Sequence, residues 1–264
     1  MKEISLQELR EIQLNILLEV HNFCEERNLR YSLGGGTLLG AVRHKGYIPW
    51  DDDIDIMMPR PDYERFIKEF VGYKKNLICG CFENDKNWQY PFAKVYDDNT
   101  ILKETSRKQV FGVNIDLFPI DGLPSKPEEL KKQIQILGRI MTLMNKKSRP
   151  KMPHHSLKQL IGIDLMKLIP NSLFHLYCKR ICLAYDFEET SIAGAVLGVY
   201  CEKEIYNKEV FLSYEKLQFE RYQFYSISDH DTYLKQHYGD YMKLPPKDKQ
   251  VTHHNYKAWY KNER

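Results

Sequence analysis

Four aspartates fall within five residues, Asp51, Asp52, Asp53 and Asp55, and the chain then runs straight into Ile56-Met57-Met58. Read as a strand, this segment turns Asp51, Asp53 and Asp55 to one side and Asp52, Ile54 and Ile56 to the other. Like charges this close repel unless a cation neutralises them, and carboxylate oxygens at that density suit Mg²⁺ or Mn²⁺. A solvated acidic loop is the plainer alternative. It fits poorly with isoleucines set between the aspartates. Upstream, Gly34-Gly35-Gly36 followed by Thr37 reads as a strand-to-helix turn, where backbone N–H groups and a hydroxyl can approach a phosphate. A phosphate cradle beside a divalent ion is what phosphoryl or nucleotidyl transfer requires. The Walker pattern is absent, since no Lys-Ser or Lys-Thr follows the glycines at the required spacing.

The elements that must position these residues are legible on either side. Ser5-Leu6-Gln7-Glu8 has the form of a capping box, and Leu6, Leu9, Ile12, Ile16, Val20 and Phe23 follow at helical spacing, so a long first helix ends near Asn28. Tyr31-Ser32-Leu33 is a short strand entering the glycines, and TLLGAVRH after them is a short helix. Pro59 and Pro61 stop the aspartate strand, and Asp62, Tyr63, Phe66, Ile67 and Phe70 mark another helix. Further strands are predicted over 77–82, 92–96, 101–104 and 113–118, the last ending in a turn at Pro119-Ile120-Asp121-Gly122. Residues 214–226 alternate as a hairpin, and 229–238 form a helix closing at Gly239. Strands and helices intermix early and helices dominate the middle. The fold class is therefore α+β, a mixed α/β sheet flanked by helices with a helical insertion or subdomain. The expected division is a catalytic core over 1–125, a basic helical insertion over 126–187, and a segment over 188–264 that packs back on the core.

Composition bounds the rest. The 264 residues are 42% hydrophobic and 28% charged, with 18 Tyr and 12 Phe, which excludes a disordered chain. No apolar run approaches the roughly 20 residues of a membrane helix, and the N-terminus lacks the features of a secretory signal, so the chain is expected to be cytoplasmic. Six cysteines without Cys-x-x-Cys pairs are expected as free thiols rather than a zinc site. The net charge of +3 gives no case for nucleic acid. Residues 126–180, however, carry twelve Lys or Arg against three acids, net +9, whereas the remainder nets −6. Ile134, Leu137, Ile140, Met141 and Met144, then Leu157, Leu160, Ile161, Leu165 and Leu168, recur there at helical spacing. Two solvated helices, or contact with an anionic membrane surface or polyanionic acceptor, both fit.

The stretch from Gly35 to Gly46 (GGTLLGAVRHKG), followed by Ile48-Pro49-Trp50-Asp51-Asp52-Asp53-Ile54-Asp55, resembles the LicD and fukutin-related phosphotransferase family of the nucleotidyltransferase superfamily. The likeness continues through Lys94, Ile115-Asp116-Leu117-Phe118-Pro119 and a C-terminal segment from Tyr238-Gly239-Asp240 to Pro245-Pro246. It implies a metal held by Asp53, Asp55 and Asp116, with Gly35, Gly36 and Thr37 at the phosphates. It also implies transfer of a phosphorylated alcohol, phosphocholine in the bacterial branch, from a CDP-activated donor such as CDP-choline to a sugar hydroxyl, with CMP leaving. The expected acceptor is a lipid-linked glycan, a teichoic acid, capsule or lipopolysaccharide precursor, reached at the inner membrane face. Asp116 would complete the metal coordination or act as base. Arg43, His44, Lys45 and Lys94 are cationic candidates for the donor phosphates, and His253 and His254 fit a family pattern near the C-terminus. A quaternary ammonium calls for aromatic rings, among which Trp50 is the leading candidate because its loop must lie beside the metal strand. A true nucleotidyltransferase releasing pyrophosphate and a non-catalytic membrane-surface protein are the rival readings.

Overall fold

The structure is a computed structural model that describes residues 1–105, 107–150, 168–198, 200–252 and 256–261. Helix α1 (Leu6–Arg27) starts at the expected capping box: the Ser5 hydroxyl accepts from the Glu8 N–H, and the Glu8 carboxylate accepts from the Ser5 N–H at 2.9 Å. It ends at Asn28, which takes the left-handed conformation. Next come β1 (Ser32–Leu33), α2 (Gly35–His44), β2 (Asp55–Pro59), α3 (Arg60–Glu69), β3 (Leu77–Gly80), β4 (Ala93–Asp97), β5 (Thr100–Glu104) and β6 (Asn114–Leu123). Helices α4 (Pro127–Ser148) and α5 (Asn171–Cys182) follow, then β7 (Ile192–Gly194) and β8 (Ile205–Asn207). The hairpin β9 (Tyr214–Phe219) and β10 (Tyr222–Ile227), helix α6 (His230–Tyr238) and β11 (Tyr256–Tyr260) complete the chain.

The main sheet runs in the order β1-β2-β6-β4-β3, and β7 and β8 extend it from the far end of β6. Strands β2 and β6 are parallel, and the other pairs are antiparallel. Alternate residues Ile56, Met58, Ala93, Val95, Ile115 and Leu117 share one core with Leu14, Leu17, Val20 and Phe23 of α1 and Phe66 of α3. The opposite face is left for chemistry. A second core joins Ile134, Leu137 and Met144 of α4 to Phe174, Cys178 and Cys182 of α5 and to Val196 and Leu197. All six cysteines are free.

Three sequence expectations are corrected. The aspartate strand begins only at Asp55, although burial still alternates from Asp51 to Ile56, because the loop before it is fixed by α1. The Arg10 guanidinium donates to the carbonyls of Ile48, Pro49 and Asp51, and the Gln13 amide to that of Asp52 at 3.0 Å. The glycines form the first turn of α2 itself rather than a loop before it. Pro119 to Gly122 is not a turn but the second half of β6. On one flank β4 pairs only as far as Leu117 and β7 starts at Asp121, so Pro119 sits where that flank needs no N–H. Leu157, Leu160, Ile161 and Leu165 lie outside the described residues, and Leu168 is exposed.

Candidate active site

The parallel register of β2 and β6 sets Asp55 directly beside Asp116, and the antiparallel β4 sets Lys94 on the other side of Asp116. Lys94 is buried, and its ammonium pairs with the Asp116 carboxylate and donates to Asn114 Oδ1 at 3.2 Å. The start of α2 is sewn to the same place. Gly34 N–H donates to the Asp55 carbonyl at 2.9 Å, and Asp55 N–H donates to Thr37 Oγ1 at 2.8 Å. Gly35 has φ +46°, and a Cβ there would lie 3.2 Å from Asp55 Oδ2, whereas one on Gly36 would lie 2.8 Å from Asp51 Oδ2. Only glycines let the positive end of the helix come this close to two carboxylates.

Asp51, Asp52 and Asp53 each offer an oxygen within 4.8 Å of the others. Burial, reinforced by the neighbouring charge of Asp53, pushes the Asp51 carboxyl up to about 8. A carboxylate group this reluctant to ionise gains from a hard cation, so the donor set fits Mg²⁺ or Mn²⁺. Asp52 is also engaged on its other side: its Oδ2 accepts from the Thr252 hydroxyl at 2.7 Å, and its carbonyl accepts from the Tyr256 hydroxyl. It ties the C-terminal segment to the site.

The structure thus gathers Asp55, Asp116, Gly35, Thr37 and Lys94, with Gly36 against Asp51, whereas Asp53 clusters with Asp51 and Asp52 rather than with Asp55 and Asp116. Arg43, His44 and Lys45 occupy the other end of α2, about 12 Å along its axis from Gly35. There the Arg43 guanidinium donates to His44 Nε2 at 2.9 Å and to the Tyr241 carbonyl at 2.6 Å, and Lys45 caps the helix in the left-handed conformation. Burial, with the adjacent Arg43 charge, lowers the His44 imidazole. Trp50 meets His44 edge-on, with ring centroids 6.4 Å apart. His253 and His254 lie outside the described residues. Tyr233 and the hydroxyl end of Tyr238 come to the glycines unannounced. Only position on α6, beyond the reach of local spacing, brings them there.

Tyr233 links the glycine turn to a buried acid. Its hydroxyl accepts from Gly35 N–H at 3.3 Å and donates to Glu204 Oε2 at 3.0 Å. Burial pushes Glu204 up to about 7 and, with Lys203 nearby, pushes His237 down to about 4. A raised carboxyl stabilises the fold while protonated, and that stability is lost as pH climbs from about 4.5 through about 7. The depressed imidazole costs stability in the opposite direction, as pH falls from 6.5 towards 4. Glu204→Gln keeps an acceptor for Tyr233 without the titration. The variant should therefore gain about 2 kcal/mol on the wild type between pH 5 and pH 8. Thermal melts at the two pH values check this, and a gap that does not change with pH would refute it.

The fold thus sets a strand-borne carboxylate pair against a glycine-led helix. The sequence pattern of the LicD/FKTN/FKRP nucleotidyltransferase domain matches residues 28–169, just over half the chain. Lipopolysaccharide cholinephosphotransferase LicD of Haemophilus influenzae is 34% identical over 274 aligned residues, which cover 98% of this chain and 99% of that protein. An uncharacterized protein of Rickettsia typhi is 34% identical over 90 residues, covering 30% of this chain and 29% of that protein. The chain belongs to the LicD family of transferases.

Proposed function

We propose that the enzyme transfers phosphocholine from CDP-choline, or the equivalent group from another CDP-alcohol, to a sugar hydroxyl of a lipopolysaccharide, teichoic acid or capsule precursor. The observation that carries this reading is the end-to-end similarity to a lipopolysaccharide cholinephosphotransferase. In the reaction an acceptor oxygen–phosphorus bond forms and the pyrophosphate bond breaks. CMP takes the bonding pair, and the acceptor proton passes to a carboxylate. Asp53, Asp55 and Asp116 would hold a Mg²⁺ or Mn²⁺ ion, which when bound neutralises the pyrophosphate. Asp116 either completes that set or takes the acceptor proton. Gly35 and Gly36 present the N-terminal turn of α2 to phosphate oxygens, and Lys94 supplies a fixed positive charge beside Asp116.

No helix among the described residues is long and apolar enough to cross a membrane. The exposed Lys131, Lys132, Arg139 and Lys146 on α4 support a cytoplasmic enzyme that meets a lipid-linked acceptor at the anionic membrane face. Thermal melts with Mg²⁺ and a panel of CDP-choline, CDP-ribitol, CDP-glycerol and CTP test the donor. A ligand at about 100 times its Kd adds about 2.7 kcal/mol, a shift of several degrees. The expected result is a Mg²⁺-dependent shift with CDP-choline and release of CMP on turnover. A shift with CTP alone, with pyrophosphate as product, would instead establish a nucleotidyltransferase.

A further inference from the structure

The face of the sheet that carries Asp55, Asp116 and Lys94 continues two residues along into Phe118 on β6 and Phe92 ahead of β4. That step is about 7 Å along a strand. Neither ring is fully buried, and their centroids lie 4.2 Å apart. This aromatic surface already accommodates a cation. The Lys94 ammonium stands 4.5 Å from the centroid of Tyr90 and 5.6 Å from that of Phe92. Phe92 also borders the cleft between α3 and α5, where Arg60 and Lys179 face two carboxylates, Glu64 and Glu83. The two cations that line the cleft are matched by its two carboxylates, and the charge of Lys94 is matched by Asp116.

We propose that the Phe92–Phe118 pair is the platform for the quaternary ammonium of the donor, and so the determinant of its alcohol. This rests on the phosphocholine reading above. The choline nitrogen lies only an oxygen and two carbons from the transferred phosphorus, so its seat must adjoin the carboxylates. A partly exposed aromatic pair one strand step away, beside a lysine whose charge Asp116 already matches, meets that requirement in position and shape. Trp50 is engaged with His44 instead.

The test compares CDP-choline with the CDP ester of 3,3-dimethylbutanol, its neutral isostere of the same shape. The wild type is expected to show a KM about tenfold lower for the charged donor. Phe118→Leu and Phe92→Leu should each shrink that ratio towards one while leaving inhibition by CMP unchanged. Fluorinated phenylalanines at position 118, which keep the ring's shape, should raise the KM of CDP-choline with each fluorine and leave that of the isostere flat. This series stands in for a leucine variant that fails to fold. A charge preference that survives both leucine substitutions and the fluorine series overturns the platform, as does a wild type that does not discriminate. A wild type that turns over neither donor but accepts another CDP-alcohol refutes the phosphocholine reading itself, which separates the two failures.

Discussion

Asp55→Asn is expected to lower kcat by about 10³-fold or more while leaving the protein folded. The two backbone bonds that fix this position, from Gly34 N–H to its carbonyl and from its own N–H to Thr37 Oγ1, do not involve the side-chain charge. Removing one negative charge from a crowded group of carboxylates also relieves repulsion, so the melting temperature in the absence of Mg²⁺ should hold or rise. The Mg²⁺-dependent thermal shift should disappear with the activity. Asp52→Asn is the contrasting variant. That side chain holds Thr252 at 2.7 Å rather than facing the glycines, so its loss should appear in stability before kcat. Steady-state kinetics and melts on both proteins decide the matter. An Asp55→Asn enzyme with wild-type turnover would remove that residue from the chemistry.

The local part of this site was legible in the chain because its signals are local. Ser5 and Glu8 are three residues apart, the glycines abut Thr37, and alternation of Asp with Ile exposes two faces without any tertiary knowledge. What escaped depends on pairing between distant segments. Pro119-Ile120-Asp121-Gly122 has the composition of a turn, but β2 pairs with it through Pro59↔Ile120, and tertiary context overrides composition. Residues 51–54 have strand-like alternation without a strand, since Arg10 and Gln13 from α1 occupy their carbonyls. Tyr233 reaches Gly35 across 198 positions, which no spacing rule anticipates. Arg43, His44 and Lys45 follow the glycines closely in sequence, yet a helix of ten residues carries them to its opposite end. Nearness along a chain becomes nearness in space only where the backbone turns back.

The largest stability effect is expected away from the carboxylate face, at the pair Arg60–Asp121. The guanidinium forks onto the carboxylate, Nε to Oδ1 at 2.6 Å and Nη2 to Oδ2 at 3.0 Å, and Asp121 is fully buried. Burial pushes the Asp121 carboxyl up, and the Arg60 fork works against that rise. Asp121→Ala would leave the buried Arg60 with only the part-exposed Glu64 as a partner and should cost about 3 kcal/mol, on the order of 10 °C in melting temperature. Replacing both partners, Arg60→Met with Asp121→Leu, should recover most of that loss, because the penalty comes from the buried charge that has lost its fork. Arg60 opens α3 immediately after β2, and Asp121 lies near the end of β6, so the pair clamps the two strands whose register brings Asp55 to Asp116. The single variant should therefore lose Mg²⁺ affinity along with stability, whereas the double variant regains both. Denaturant melts and Mg²⁺ titrations on the three proteins separate these effects. If the double variant regained stability without Mg²⁺ affinity, the ion pair would prove necessary for placing the carboxylates, beyond its role in holding the fold.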